Sequence, residues 1–248
     1  MNIIKTLFYN NKSQKISAKI YKNPNTTDGV IFSHGLFSTK DGYKITRLAE
    51  GIVNAGYTLL TFDFSFVGES EGNISELSIL QEVDDLNSAY LFFKKSGIDK
   101  VHLVGSSMGG LVTLLFSSVM GNKISSQTLI AAPVLLDEII LKMSGVTDIG
   151  VLSKNGYTEV DGISIHNHFF KEAKTIDMPK AILENKVHAL IIHGGNDTVV
   201  PVNNAAALMK NLTCEKRMIL IEDGDHNLSR DSDIKILSDN ILEWLNAH

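Results

Sequence analysis

The chain has a single cysteine, Cys214, among its 248 residues, so it cannot form an internal disulfide. This excludes a small scaffold held together by disulfides and is typical of a protein from a reducing compartment. Cys214 lies between Thr213 and Glu215 with no nucleophile motif around it. We therefore interpret it as a buried or incidental thiol.

The sequence also lacks basic clusters and long apolar runs. Lys and Arg number 23 against 28 Asp and Glu, and the resulting net charge of −5 is dispersed, so we expect no nucleic-acid partner. No apolar run is long enough to span a bilayer, and the first residues show no charged segment followed by an apolar one. These absences predict a cytoplasmic protein with no stable membrane insertion.

Residues 105–109, Gly-Ser-Ser-Met-Gly, have the pattern G-x-S-x-G. They follow the apolar run 101–104 and precede the apolar run 110–116, an order that predicts a strand, a sharp turn and a helix. In this setting the motif predicts a nucleophile elbow, in which the glycines make room for a strained turn. Ser107 would then present its hydroxyl at the end of the strand. An ordinary glycine-rich turn is the weaker alternative.

A serine nucleophile needs a base and an orienting carboxylate, which in this arrangement follow it in the order acid, then histidine. Asp197 follows the apolar run 187–193, and His226 follows the apolar run 217–221. Both are predicted at the carboxyl ends of strands, where open α/β sheets place their sites. Asp225 is adjacent to His226 and poorly placed to reach its ring. The other candidates weighed are the acids Asp177 and Asp223 and the histidines His102, His166, His168 and His188.

A tetrahedral intermediate also requires two N–H groups directed at its oxyanion. One is expected from Met108, the residue after the nucleophile, and the other from the loop that follows an early strand. That loop is visible where the apolar run 29–33 leads into His34-Gly35-Leu36. We therefore predict the backbone N–H groups of Leu36 and Met108 as the oxyanion hole.

Taken together, residues 34–36, the 105–109 motif, Asp197 and residues 224–226 resemble the α/β-hydrolase superfamily. The stretch 57–72 is similar to the corresponding stretch of the serine aminopeptidase-like and monoacylglycerol lipase-like branch. Within that branch, the compact length of the chain is most similar to that of the cinnamoyl and feruloyl esterase-like members. The resemblance implies Ser107 as nucleophile, Asp197 as acid and His226 as base. One departure is Phe66-Val67, where the family usually has Gly-His beside the pocket.

Alternating strand and helix patterns predict an α/β fold with a mostly parallel central sheet and helices on both faces. We interpret residues 1–248 as one α/β-hydrolase domain, with residues 133–185 as an inserted cap because this long segment interrupts the alternation. Helix 78–96 is expected to bury a stripe that includes Leu80 and Leu91. Candidate pocket residues are Phe37, Phe169 and Phe170, although the last two could simply hold the cap onto the core.

The expected function is hydrolysis of carboxylic esters with short-to-medium acyl or aryl and cinnamoyl groups, through an acyl-enzyme on Ser107. Alternatives are an acylglycerol lipase, a thioesterase, a peptidase and a non-catalytic binding protein. No cofactor is expected, and no metal, because His166 and His168 lack accompanying ligands. The expected partner is a small-molecule ester, and a homodimer is left open.

Overall fold

A computed structural model describes residues 2–248 and contains an eight-stranded sheet in the order β1-β2-β4-β3-β5-β6-β9-β10. Strand β2 is antiparallel to β1 and β4, and all other neighbouring strands are parallel. The mostly parallel sheet predicted from the sequence is confirmed. The strands are β1 Asn2–Tyr9, β2 Lys15–Lys22, β3 Asp28–Ser33, β4 Thr58–Phe62, β5 Lys100–Ser106, β6 Ser126–Ile130, β9 Ala189–Gly194 and β10 Lys216–Ile221.

Helices cover both faces of the sheet because its strands carry apolar side chains on both. On β5, Leu103 joins the apolar cluster beneath α2 and α3, whereas Val104 joins the one beneath α1 and α8. Among residues 2–248, no helix has the length and apolar character needed to cross a membrane. The helices outside residues 133–185 are α1 Tyr43–Asn54, α2 Ile79–Lys95, α3 Met108–Met120, α7 Asn203–Asn211 and α8 Asp231–Ala247.

Helix α2 begins where the hydroxyl of Ser78 accepts a hydrogen bond from the amide of Gln81. The apolar stripe expected on this helix was partly wrong, because Leu80 and Leu91 are about half exposed while Glu82 and Asp85 are buried. The helix turns this face inward because the Asp85 carboxylate accepts hydrogen bonds from residues on other elements. Those donors are Asn10 at 2.9 Å and the amide and hydroxyl of Ser65 at 2.8 and 2.5 Å.

Residues 133–185 form several short elements between β6 and β9. A two-stranded antiparallel hairpin packs against the turn at 74–76, and α6 packs against α3 and α7. The α6 helix therefore belongs to the helical layer on the sheet, and the cap interpretation of the whole segment stays a prediction. The elements are α4 Leu136–Ser144, β7 Tyr157–Val160, β8 Ile163–His166, α5 His168–Ala173 and α6 Met178–Glu184.

Candidate active site

Ser107 occupies the sharp turn between β5 and α3 with φ 55° and ψ −120°, a backbone conformation that non-glycine residues seldom adopt. The glycines two residues before and two residues after it permit this turn because they lack side chains. A Cβ at Gly109 would lie 2.2 Å from the carbonyl oxygen of Ser33, and one at Gly105 would lie 2.2 Å from the carbonyl oxygen of Gly109. The two glycines thus allow the elbow to pack tightly, and the strain is concentrated on Ser107.

The structure brings Ser107, His226 and Asp197 together in one hydrogen-bonded chain. His226 Nε2 lies 2.9 Å from Ser107 Oγ, and His226 Nδ1 lies 2.7 Å from Asp197 Oδ2. The loops that carry Asp197 and His226 follow β9 and β10, so the ends of three parallel strands meet at one edge of the sheet. With Nδ1–H donating to the carboxylate, the imidazole has its Nε2 lone pair directed at the serine hydroxyl.

Asp197 is buried and held by four donor groups. Its Oδ1 accepts from the amides of Val199 and Val200 at 2.9 and 2.8 Å, and its Oδ2 faces both His226 and His193. Burial acts to raise the pKa of the Asp197 carboxyl, but the hydrogen bonds from His193, His226 and the Val200 amide outweigh it and hold the pKa well below its usual range. The carboxylate therefore stays ionised at neutral pH.

His193 is a member of this site that the sequence reasoning missed. It lies near the carboxyl end of β9, is almost fully buried, and its Nε2 lies 2.8 Å from the carbonyl oxygen of Val200 and 3.4 Å from Asp197 Oδ2. Because a carbonyl only accepts, Nε2 carries the proton and faces both oxygens. The available signal was its position four residues before Asp197, at the same strand end.

The competing candidates have other roles in the structure. Asp225 accepts a hydrogen bond from the amide of Leu228, and Asp177 caps the start of α6. His102 lies inside the sheet with its Nδ1 2.7 Å from the hydroxyl of Ser126. The remaining histidines also lie away from Ser107: His166 and His168 hydrogen-bond to each other, and His188 precedes β9.

The two N–H groups predicted for the oxyanion hole lie beside the elbow. Among the described residues, neither the Leu36 nor the Met108 amide donates a hydrogen bond to a protein acceptor. A Cβ at Gly35 would lie 3.2 Å from Ser107 Cβ, which places the Leu36 loop against the nucleophile. Both amides are therefore free to bind a negatively charged oxygen at Ser107.

His34 orients the Leu36 loop. Its buried ring places Nδ1 2.8 Å from the carbonyl oxygen of Gly35, and Nε2 accepts from the amide of Phe64. Burial lowers the pKa of this imidazole, consistent with a neutral ring that donates from Nδ1. Since the Gly35 carbonyl and the Leu36 N–H belong to the same planar peptide, the hydrogen bond from His34 also orients the Leu36 donor.

Comparisons with known proteins agree on the fold. A family profile described as alpha/beta hydrolase fold matches residues 29–148. The chain superposes on Est1E from Butyrivibrio proteoclasticus, solved with ferulic acid bound, with a TM-score of 0.87 at 18% identity, covering 98% of each chain. It also superposes on alpha/beta hydrolase domain-containing protein 10 from mouse with a TM-score of 0.82 at 22% identity, covering 98% of this chain and 99% of the other. The chain has the alpha/beta-hydrolase fold.

Curated relatives of this hydrolase include a protein named palmitoyl-protein thioesterase ABHD10, mitochondrial, from Bos taurus. It is 24% identical over 230 residues, which cover 84% of this chain and 70% of the relative. The resemblance to the α/β-hydrolase superfamily that the motifs indicated is thereby confirmed, with both esterase and thioesterase names among the similar proteins.

The loop that departs from the family pattern is tied to the oxyanion loop. Lys40 Nζ lies 2.8 Å from the buried Asp63 carboxylate and 2.6 Å from the exposed carboxylate of Glu69. Gly68 has φ 62°, and a Cβ there would lie 2.3 Å from an Asp63 oxygen. Phe66 packs into the core, and neither Phe66 nor Val67 lines the cavity described next. The two residues that replace the usual Gly-His therefore do not border that cavity.

Ser107 and His226 open into a cavity of about 770 Å³, most of whose walls are apolar. Phe37 and Phe169, two of the three pocket candidates, line it. Phe170, the third pocket candidate, does not line this cavity, and its buried ring packs edge-on against Phe169 at 5.3 Å between ring centroids. Other apolar lining residues are Leu36, Ile79, Met108, Leu111, Leu136, Ile139, Ile140, Met143, Val160, Val199 and Val200.

Three charged residues of the segment 133–185 also line the cavity and were not singled out from the sequence. They are Lys142, whose ammonium donates to the carbonyl of Thr198, and two exposed acids of the β7–β8 hairpin, Glu159 and Asp161. Two carboxylates against one ammonium give this part of the wall a net negative charge. Such a wall disfavours strongly anionic substrates.

Proposed function

We propose that this hydrolase cleaves carboxylic esters through an acyl-enzyme on Ser107. The observation that carries the proposal is the unbroken chain of hydrogen bonds from Ser107 through His226 to Asp197, at 2.9 and 2.7 Å, located at an apolar cavity. A glycine-rich turn without a catalytic role would not require a strained serine aligned with a buried imidazole–carboxylate pair.

The geometry supports a two-step acyl transfer. Ser107 Oγ attacks the ester carbonyl while His226 Nε2 accepts its proton, and Asp197 stabilises the resulting imidazolium through Nδ1–H. The N–H groups of Leu36 and Met108 bind the oxyanion of the tetrahedral intermediate. His226 then protonates the leaving alcohol, and a water molecule that the same histidine deprotonates hydrolyses the acyl-enzyme.

The cavity supports an uncharged acyl group of medium size, aliphatic or aromatic. Its volume of about 770 Å³ lies within the range of about 300–1,000 Å³ that is common for small-molecule sites. Phe37 and Phe169 offer aromatic contacts to a cinnamoyl group, and the fold match to a structure with bound ferulic acid supports the same class. The net negative charge of Lys142, Glu159 and Asp161 on the cavity wall favours neutral esters over anionic ones as substrates.

A thioesterase is the second candidate, favoured by the relatives named palmitoyl-protein thioesterase. The same three side chains and two amides would serve a thioester, since only the leaving atom differs. A substrate panel separates the candidates: p-nitrophenyl esters of increasing acyl length, methyl ferulate, a monoacylglycerol, a palmitoyl thioester and an aminoacyl p-nitroanilide. Ester turnover supports the proposal, and preference for the thioester or the anilide identifies a thioesterase or a peptidase.

Labelling with a fluorophosphonate probe tests the nucleophile directly. The wild-type protein is expected to be labelled at Ser107, and Ser107→Ala should lose labelling and at least about 10³-fold in kcat on p-nitrophenyl butyrate. Ser106→Ala is the matched control, because it removes the adjacent hydroxyl of the same turn and should still be labelled. Absence of labelling in folded wild-type protein would contradict the proposal and favour a non-catalytic binding role.

A further inference from the structure

A second cluster of chemically capable side chains lies at the opposite end of the sheet from Ser107. His188 immediately precedes β9, Glu215 immediately precedes β10, and His248 follows the end of α8. Since Asp197 follows the carboxyl end of β9 and a strand rises about 3.3 Å per residue, six residues of β9 separate the two sites by roughly 20 Å. The cluster therefore has no part in the acyl transfer proposed above.

The three side chains are spaced as ligands of one ion. His188 Nδ1 lies 3.5 Å from Glu215 Oε2, and His248 Nε2 lies 3.6 Å from Glu215 Oε1. One ligand atom from each residue falls within 4.8 Å of the other two. Zinc bonds of about 2.0–2.2 Å in a tetrahedral arrangement separate neighbouring ligand atoms by roughly 3.4 Å, close to the distance between each histidine nitrogen and its facing Glu215 oxygen.

The hydrogen bonds around the cluster leave the ligand atoms available. His248 Nδ1 lies 3.0 Å from the carbonyl oxygen of Trp244 and must donate to it, which leaves the Nε2 lone pair facing Glu215. A hydrogen bond from the second ring nitrogen to a backbone carbonyl is typical of histidines that bind metals. His188 Nδ1 is buried and makes no hydrogen bond to the described residues.

We propose that His188, Glu215 and His248 bind a divalent transition-metal ion of the zinc class, with water completing the coordination. Two imidazoles and one carboxylate suit Zn²⁺, Ni²⁺ and Cu²⁺ better than Mg²⁺ or Ca²⁺, which prefer ligand sets made of oxygen. The bound ion joins the end of α8 to the starts of β9 and β10, so it stabilises the fold.

Trp244 makes the site measurable because it is the single tryptophan of the chain, and its ring centroid lies 4.0 Å from that of His248. With all purification tags removed, titration with Ni²⁺ or Cu²⁺ is expected to quench the Trp244 fluorescence to saturation at one ion per chain. Addition of Zn²⁺ should displace Ni²⁺ and restore the fluorescence. At a hundredfold excess over its Kd, Zn²⁺ should raise the Tm by about 5 °C or more.

Variants decide whether these residues bind the ion. His188→Gln and Glu215→Gln should each weaken metal binding at least tenfold. His248→Gln should weaken it equally, and this variant is measured by equilibrium dialysis with Zn²⁺ because His248 contacts the Trp244 reporter. His166→Gln and Glu243→Gln are the matched controls, and both should bind Zn²⁺ as the wild type does. The first removes a histidine of the His166–His168 pair, and the second removes an exposed acid of α8. Circular dichroism and esterase activity without metal report that each variant is folded.

The proposal is overturned if quenching does not saturate, or if His188→Gln and His248→Gln bind Zn²⁺ as tightly as the wild type. It is also overturned if binding is lost only when His226 is replaced, because the ion would then belong to the active site.

Discussion

His193 and His226 share a single oxygen of Asp197. The Oδ2 atom lies 2.7 Å from His226 Nδ1 and 3.4 Å from His193 Nε2, while Oδ1 accepts two backbone amides. The carboxylate is therefore restrained from two sides, and its orientation toward His226 depends in part on a buried histidine that does not touch the nucleophile. His193 is a positioning residue in this arrangement.

Replacing His193 is expected to lower kcat without changing substrate binding. His193→Gln keeps an N–H donor of similar reach, whereas His193→Leu removes both the hydrogen bond to the Val200 carbonyl and the 3.4 Å contact with the buried Asp197 carboxylate. We expect His193→Leu to lose roughly tenfold or more in kcat on p-nitrophenyl butyrate, with KM little changed, and His193→Gln to recover part of that loss. Equal activity of the wild type and a folded His193→Leu would contradict the positioning role.

The charge of Asp197 should be constant over the working pH range. Because the pKa of Asp197 is lowered in the folded protein, its carboxylate stabilises the fold at pH values above about 3.9, the ordinary pKa of an unfolded aspartate. This stabilisation is lost only as the pH falls through the still lower pKa of the folded state. Protonation of Asp197 therefore does not limit activity between pH 5 and 8. Asp197→Asn should lose about 10³–10⁴-fold in kcat throughout that range. A pH–rate series for both proteins checks this, and recovery of the variant toward pH 5 would contradict it.

Alanine substitutions at Gly35 and Leu36 should affect different kinetic parameters, kcat for Gly35→Ala and KM for Leu36→Ala. A Cβ at Gly35 would lie 3.2 Å from Ser107 Cβ and 3.3 Å from the Ser106 carbonyl oxygen, so the loop must shift by a few tenths of an ångström. Complete loss of one oxyanion donor costs about 10²–10³-fold in kcat, and we expect Gly35→Ala to cost about tenfold through displacement of the Leu36 N–H. Leu36→Ala keeps that donor and should mainly alter KM. A larger kcat loss in Leu36→Ala than in Gly35→Ala would contradict the assignment.

His102 should make the protein sensitive to acid. Burial lowers the pKa of this imidazole to about 3, whereas an unfolded histidine titrates near about 6.5. Below about pH 6.5 the unfolded chain binds a proton that the folded chain does not, so stability falls with falling pH, by about 2 kcal/mol at pH 5.

Urea unfolding at pH 7 and pH 5 measures this contribution. His102→Asn is expected to lose about 2 kcal/mol less than the wild type between the two pH values, whatever its stability at pH 7. Some acid sensitivity should remain, because His34 is also buried with a lowered pKa. Identical losses in the two proteins would show that His102 does not account for the effect.

Much of the site could be predicted from the sequence because its signals are local. The G-x-S-x-G motif between two apolar runs indicated the elbow, and Asp197 and His226 each follow an apolar run that forms a parallel strand. Parallel neighbouring strands end at the same edge of a sheet, so residues distant in sequence were expected to meet there.

Other features depend on which distant residues become neighbours. Asp85 is on the buried face of α2 because its donors Asn10 and Ser65 lie opposite it, and no periodicity within residues 79–95 indicates those donors. Phe169 and Phe170 are adjacent, chemically identical and both buried, yet only Phe169 lines the cavity.

The amino-acid sequence by itself determined the order of strands and helices, the elbow and the three side chains at the strand ends, because each is specified by residue types within a few positions along the chain. Tertiary structure alone decided the shared oxygen of Asp197, the walls of the cavity and the meeting of His188, Glu215 and His248. Apart from the contact of His193 with Asp197, four residues away, those contacts join segments tens of residues apart, and their geometry follows from how the sheet and its helices pack rather than from any local pattern.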